Sequence, residues 1–216
     1  MAQVVKTGDG SYTLKNSKFG EYYHSVNGAI SESSLVFIKN GLLFADKNNC
    51  RILEYGFGTG LNAVLSHLEA NRRNLKVHYT GVELFPLGAE ETESFYTNFE
   101  EPVRSAGIAM NQKSWNIENT CGDNFILLKL KADFTNIQLS GNYDVVFFDA
   151  FSPESHTEAW KPEVFQHLYE HTAPHGILVT YSAQGKVKQA LRNAGYQVSR
   201  LPGPPGKRHI LRAIKF

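Results

Sequence analysis

The run Ile52-Leu53-Glu54-Tyr55-Gly56-Phe57-Gly58-Thr59-Gly60-Leu61-Asn62 has the make-up of a ligand-binding loop. An apolar stretch enters three glycines at alternate positions and leaves into a helix with an apolar stripe. Glycines permit a tight turn and let a ligand approach the backbone beside a helix N-terminus. A dinucleotide-binding loop would read G-x-G-x-x-G. Here the pattern is G-x-G-x-G, and an acid, Glu54, stands two residues before the first glycine. A carboxylate there repels a pyrophosphate and attracts a cation. The expected ligand is cationic and free of phosphate, and S-adenosylmethionine, with its sulfonium and ammonium, has both properties. The bland alternative is an ordinary strand-to-helix turn.

Two further acids fall where such a ligand needs partners. Glu83 closes the run Tyr79-Thr80-Gly81-Val82-Glu83, and a carboxylate at that strand end can accept both ribose hydroxyls. Asp123, in Cys121-Gly122-Asp123-Asn124 ahead of an expected helical run, is placed to take an adenine amino group. Either acid alone reads equally well as a solvated loop residue; their order after the glycine loop is what informs. Asp149-Ala150-Phe151-Ser152-Pro153 follows the most apolar strand, an acid ahead of an aromatic and a proline. It is similar to the D-P-P-Y type loop of amino-group methyltransferases. An amine that attacks a methyl group must be neutral, with its lone pair in line. Asp149 can accept an amine N–H, orient the nucleophile and take a proton, while Phe151 can stack on a base. An aspartate capping the next helix is the alternative.

Strand-helix alternation supplies the frame for these residues. Residues 50–55, 76–83, 143–149, 176–181, 196–200 and 209–215 read as strands, and 61–69, 86–99, 163–171 and 186–193 as helices. Val145, Val146, Phe147 and Phe148 in a row mark a strand buried on both faces, as in parallel sheets. The expected fold is α/β: a Rossmann-like, mostly parallel sheet with right-handed crossovers and a C-terminal antiparallel hairpin. Residues 1–45, with short alternating stretches such as 11–14 and 35–37, read as a small β-rich extension packed on a domain at 46–216.

The 216 residues are 42% hydrophobic, enough for one such domain with a full core. Residues 1–10 are polar and do not read as a signal peptide, and no apolar run approaches the roughly 20 residues needed to cross a bilayer. Cys50 and Cys121 stand far apart, so neither a disulfide framework nor a zinc site is expected, and a reduced cytoplasmic setting is the default. His167-Leu168-Tyr169-Glu170-His171 spells H-x-x-E-H, yet no acid follows Glu170 to serve as a third ligand, so no metal is expected. Net charge is +1, but residues 186–216 hold eight basic side chains and no acid, leaving −7 on the residues before them. Charge of one sign gathered at one end is the footprint of a polyanion-binding face. Lys186, Lys207 and Arg208 are the leading candidates for such contacts.

Several segments together resemble one family. They are Asp9-Gly10-Ser11 with Thr13-Leu14, Tyr23-His24-Ser25, the glycine loop, Asp149-Ala150-Phe151-Ser152-Pro153, Tyr181-Ser182-Ala183-Gln184-Gly185, and Pro202-Gly203-Pro204-Pro205-Gly206-Lys207-Arg208. The chain resembles the stand-alone methyltransferases of tRNA 5-methylaminomethyl-2-thiouridine biosynthesis, and the corresponding part of the bifunctional enzyme. That resemblance implies methyl transfer from S-adenosylmethionine to the primary amine of 5-aminomethyl-(2-thio)uridine at the wobble position. It implies cofactor roles for Glu54, Gly56, Phe57, Gly58, Gly60, Glu83 and Asp123, and a catalytic role for Asp149. Phe151, Pro153, Lys186, Lys207 and Arg208 are the expected contacts to the tRNA anticodon arm. The bifunctional enzyme has an FAD-dependent oxidase domain; a chain ending at Phe216 has no room for it, so FAD is not expected. Pro204-Pro205 departs from the aromatic and glycine of the family pattern.

Overall fold

The computed structural model describes residues 3–16 and 19–216. β1 (Gln3–Lys6) and β2 (Tyr12–Lys15) form a separate antiparallel hairpin. Next come α1 (Ala29–Ser33), a π-helical stretch (Ser34–Leu42), β3 (Asn49–Tyr55), α2 (Leu61–Arg73) and β4 (Lys76–Glu83). α3 (Ala89–Tyr96), α4 (Val103–Asn111), β5 (Glu118–Thr120), β6 (Phe125–Lys131) and β7 (Tyr143–Phe148) follow. A 3-10 turn (Thr157–Trp160) leads to α5 (Pro162–His171), β8 (Thr172–Thr180), α6 (Gly185–Asn193), β9 (Gln197–Pro202) and β10 (His209–Ile214).

Eight strands share one sheet in the order β5-β6-β4-β3-β7-β8-β10-β9. The five from β6 to β8 run parallel, while β5 and the β9–β10 hairpin are antiparallel. This is the Rossmann-like arrangement that the alternation implied. Because successive strand residues face opposite ways, Phe147 packs on Phe37 and Tyr79 in one core layer. Phe148 packs on Tyr55, Trp160 and Phe165 in the other. Truncating either phenylalanine to alanine would cost about 3–5 kcal/mol. Both layers therefore hold β7, and with it Asp149, rigidly in place.

Three expectations need correction. The helix expected over 86–99 is confined to α3, and a second helix, α4, follows it. Residues 35–37, expected as a small strand, lie in the π-helical stretch, where Val36 and Phe37 face the core. Most consequential is the segment after Asp123, which is strand β6 rather than a helix. Phe125, Leu127 and Lys129 are its buried alternate residues, the period of a strand. Lys129 is fully buried there, and its Nζ donates to the carbonyls of Met110 and Asn111 at 3.2 and 2.8 Å. That lysine satisfies the C-terminal end of α4, a partner its charge alone did not disclose.

Candidate active site

The carboxyl ends of the parallel strands open into a cleft of about 360 Å³. Open α/β sheets place ligands at this edge. The glycine loop forms its floor. Gly56 has φ +91°, and a Cβ there would lie 2.4 Å from the carbonyl oxygen of Asp149. Gly58 has φ +51°, and a Cβ would lie 2.9 Å from the ring of Tyr23. Only glycine allows the loop to nest between β7 and the N-terminal segment.

Glu83, at the end of β4, accepts the N–H of Gly58 at 3.0 Å and of Phe85 at 2.9 Å. It thus ties the loop to the strand end and keeps a carboxylate on the cleft wall. Phe57 is different. Its ring is buried against Trp115, 5.8 Å away, and its backbone N–H is committed to the Val82 carbonyl. It supports the loop from below.

Behind the floor, side chains of β3, β4 and the end of β7 are linked in one hydrogen-bonded network with Asn62. Asn62, in the first turn of α2, donates from Nδ2 to Glu54 Oε1 and to Asp149 Oδ2, each at 2.8 Å. Tyr79 of β4 donates its hydroxyl to the other oxygen of Glu54 at 2.8 Å. Burial first, and the Asp149 charge second, raise Glu54 well above the usual carboxylate range, against the pull of these donors. Burial and then Glu32 push Asp149 up to about 7, while Asn62 and Lys207 draw it down. A carboxyl titrating near neutrality can both accept a proton and be re-ionised at physiological pH.

The roof comes from residues distant in sequence. Glu21 accepts the backbone N–H of Ser152 at 3.1 Å and is bonded by the Ser152 hydroxyl as well. Phe19 stacks on Phe151 with centroids 4.7 Å apart, and Tyr23 meets the same ring edge-on at 5.1 Å. His24, half-buried, stacks on Phe95, and its Nε2 lies 3.1 Å from the Thr59 hydroxyl. Burial lowers His24 to about 3, so it stays neutral and holds the loop rather than trading protons. From the other end of the chain, Lys207 pairs with Glu32 and lies 4.0 Å above the Tyr181 ring. The Tyr181 hydroxyl in turn donates to the Ala150 carbonyl at 2.9 Å.

Of the expected site residues, the cleft gathers Gly56, Phe57, Gly58, Glu83, Asp149, Phe151 and Lys207. Glu54 stands behind it, and Gly60 turns the chain into α2 with φ +80°. Asp123 does not reach it. Its neighbour Asn124 bonds Asn74 at the far end of α2, so Asp123 lies at the amino edge of the sheet, across from the glycine loop. The acid at the carboxyl end of β6 is Asp133, which accepts from Thr135, and the adjacent Phe134 lines the cleft. Pro153 is buried in the turn that leads to Thr157, not on the wall. Lys186 sits 3.8 Å from Glu154 outside the cleft, and Arg208 is exposed beyond it. Lys207, an expected tRNA contact, is folded into the cleft by its ion pair with Glu32.

Among the described residues the acids on the wall are Glu21, Glu32, Glu83 and Asp149, against one lysine. Such a lining suits a cationic cofactor and disfavours a pyrophosphate. The ring pair His167 and His171 lies 4.7 Å apart on α5, with His171 Nδ1 at 3.0 Å from the Gly141 carbonyl. Among the described residues no group of three or more His, Cys, Asp or Glu is arranged to hold a metal ion, and no helix is long and apolar enough to cross a membrane.

Fold and cleft together define a class I methyltransferase. The family model for S-adenosyl-L-methionine-dependent methyltransferases matches residues 89–216, and the chain belongs to that family. The tRNA 5-methylaminomethyl-2-thiouridine biosynthesis bifunctional protein MnmC of Azoarcus sp. (strain BH72) is 29% identical over 93% of this chain and 34% of its own length. The protein of the same name from Burkholderia thailandensis is 28% identical over 97% of this chain and 34% of its own. The chain thus spans about a third of the length of the curated relatives it matches. Among solved structures, MNMC2 from Aquifex aeolicus superposes with a TM-score of 0.79 at 28% identity, covering 99% of this chain and 70% of that one.

Proposed function

We propose that the chain transfers a methyl group from S-adenosylmethionine to the primary amine of 5-aminomethyl-(2-thio)uridine at the tRNA wobble position, giving the 5-methylaminomethyl nucleoside. The observation that carries this reading is Asp149: a cleft carboxyl beside the glycine loop, with one oxygen clamped and basicity raised to about 7. The similarity to proteins named for this tRNA modification supports the choice of amine.

S-adenosylmethionine, when bound, supplies an electrophilic methyl group. Glu83 would hold its ribose hydroxyls, and Gly56 and Gly58 would admit it against the loop backbone. Asp149 would accept the amine N–H, take the proton of an incoming ammonium and align the freed lone pair. Phe151, held by Phe19 and Tyr23, would flank the uracil. Residues 1–45 would act as the extension that roofs the methyltransferase domain at 46–216. A tRNA substrate would place the protein in the cytoplasm. On the outside, Lys188 and Arg192 of α6 and Arg200 of β9 lie together: the Arg192 charge, desolvation and then the Arg200 charge hold the Lys188 ammonium below its ordinary value. No carboxylate pairs with any of the three among the described residues. They suit the phosphates of an anticodon arm better than Lys207 does.

The test is incubation with methyl-labelled S-adenosylmethionine and tRNA bearing 5-aminomethyluridine, followed by nucleoside analysis. Label in 5-methylaminomethyluridine is expected. Label in a small amine or a protein, with none in the tRNA, overturns the reading.

A further inference from the structure

The geometry points to Asn62 as the positioning residue of the reaction centre: its amide clamps one oxygen of Asp149 and leaves the other to meet the acceptor amine. This inference rests on the proposed amine methylation. Asn62 is 3% exposed, and both N–H groups of its Nδ2 are used, one on Glu54 and one on Asp149. Nδ2 is shared between one oxygen of each carboxyl group, so the nitrogen end of the amide faces both. Asp149 Oδ2 has no other donor among the described residues, and Oδ1 has none. The rotamer of the carboxyl, and the direction in which its free oxygen points, therefore hang on a single bond.

Glu54 has a second support in Tyr79, so losing Asn62 would leave Glu54 held and Asp149 loose. A methyl transfer needs its nucleophile in line, and a loose acceptor at the amine forfeits that alignment without weakening substrate binding elsewhere. No smaller or purely acidic side chain does the same work. Alanine supplies no donor, and aspartate adds a third carboxyl. The position also joins three strands: Glu54 belongs to β3, Tyr79 to β4 and Asp149 to the end of β7, with β3 between the other two. A shift of the glycine loop would reach the Asp149 side chain through this amide, while the loop already touches the Asp149 backbone at Gly56 and Tyr55.

The groups facing Asp149 are Glu54 from β3, Tyr79 from β4, Glu32 from α1, Lys207 from the turn before β10 and Tyr181 after β8. All of them remain in Asn62→Ala. An N–H donated to a carboxylate favours its charged form, so losing the bond raises the titration midpoint.

Two readouts on Asn62→Ala decide the matter. The first follows the Asp149 carboxyl by carbon-13 NMR, assigned with Asp149→Asn. Its midpoint should rise by about half a unit or more relative to wild type. The second is steady-state methylation of tRNA: kcat should fall about tenfold or more, with KM for tRNA and the S-adenosylmethionine Kd within about threefold. An unmoved midpoint, or a loss confined to cofactor affinity, overturns the role. Should Asn62→Ala fail to fold, Asn62→Ser, whose hydroxyl stops short of both carboxylates, carries the same expectations. If the wild-type protein transfers no methyl to tRNA, the proposed substrate falls while the NMR titration still decides on Asn62.

Discussion

Replacing Asp149 with asparagine separates catalysis from stability in opposite directions. In Asp149→Asn the new amide must turn its oxygen toward Asn62 Nδ2, because two N–H donors cannot face each other. Its own Nδ2 then takes the place of the free Oδ1 and presents a donor where the amine's N–H should be received. Orientation and proton acceptance are both lost, so single-turnover methylation should fall by roughly 10²–10⁴-fold. Stability moves the other way. The folded protein keeps Asp149 protonated up to about pH 7, while an unfolded chain ionises near 3.8. Below the unfolded value both states hold the proton and the residue costs nothing. From there to about 7 the folded state holds the extra proton, so wild-type stability falls as pH rises. Asparagine has no such dependence. Its advantage over wild type should therefore widen by roughly 2–3 kcal/mol between pH 5 and pH 8, at roughly 2–4 °C of Tm per kcal/mol. Thermal unfolding at the two pH values, beside single-turnover assays, measures both arms. A variant with near wild-type turnover, or with the same Tm offset at pH 5 and pH 8, refutes the reasoning.

Three other perturbations test the walls of the cleft and the surface beyond it. Glu83→Ala should weaken S-adenosylmethionine binding by about 1.5–3 kcal/mol, the scale of a charge-assisted hydrogen bond; calorimetry showing unchanged affinity in a folded variant would remove Glu83 from the cofactor site. Lys207→Met takes away the cation that draws Asp149 down, so the acidic limb of the pH–rate profile should move to higher pH. An unmoved limb would separate Lys207 from the reacting carboxyl. Lys188→Glu with Arg192→Glu and Arg200→Glu should flatten the salt dependence of tRNA binding and leave cofactor affinity alone. A wild-type salt slope in that triple variant would send the RNA face elsewhere.

The parts of the site that local sequence can encode were legible. A strand, three glycines and a helix lie within eleven residues, and the apolar run before Asp149 is too long to be solvated. Their spacing alone puts both loops at one sheet edge. Asp123 went astray because the run after it was read as helical, although Phe125, Leu127 and Lys129 alternate at the period of a strand. Burial of Lys129 under α4 depends on a helix that the sequence did not announce. Glu21 and Glu32, and the contacts of Tyr23 and His24, were illegible for another reason. Glu21 meets Ser152 across 131 residues of chain, and no periodicity reports a contact of that separation. Asn62 lay inside the most conspicuous motif, yet its role appears only when β3 and β7 stand side by side.

The charge asymmetry of the sequence also resolves once partners are visible. Sign can be read from composition, but not what a charge faces. Lys207 belongs to the basic end and is consumed by Glu32 inside an acidic cleft. Lys188, Arg192 and Arg200 belong to the same end and have no carboxylate partner among the described residues. Two electrostatic tasks are thereby kept apart. Under the proposed function the cleft's acids would serve a cationic cofactor and an amine, and the cations of the α6–β9 edge would serve phosphates. α6 begins where β8 leaves the carboxyl edge and is nine residues long, which at 1.5 Å per residue spans about 13 Å. A phosphate backbone laid along it would be drawn to the outer edge and repelled by Glu21, Glu32 and Glu83. Only a nucleoside turned out of the strand, with its amine leading, would find Asp149 attractive.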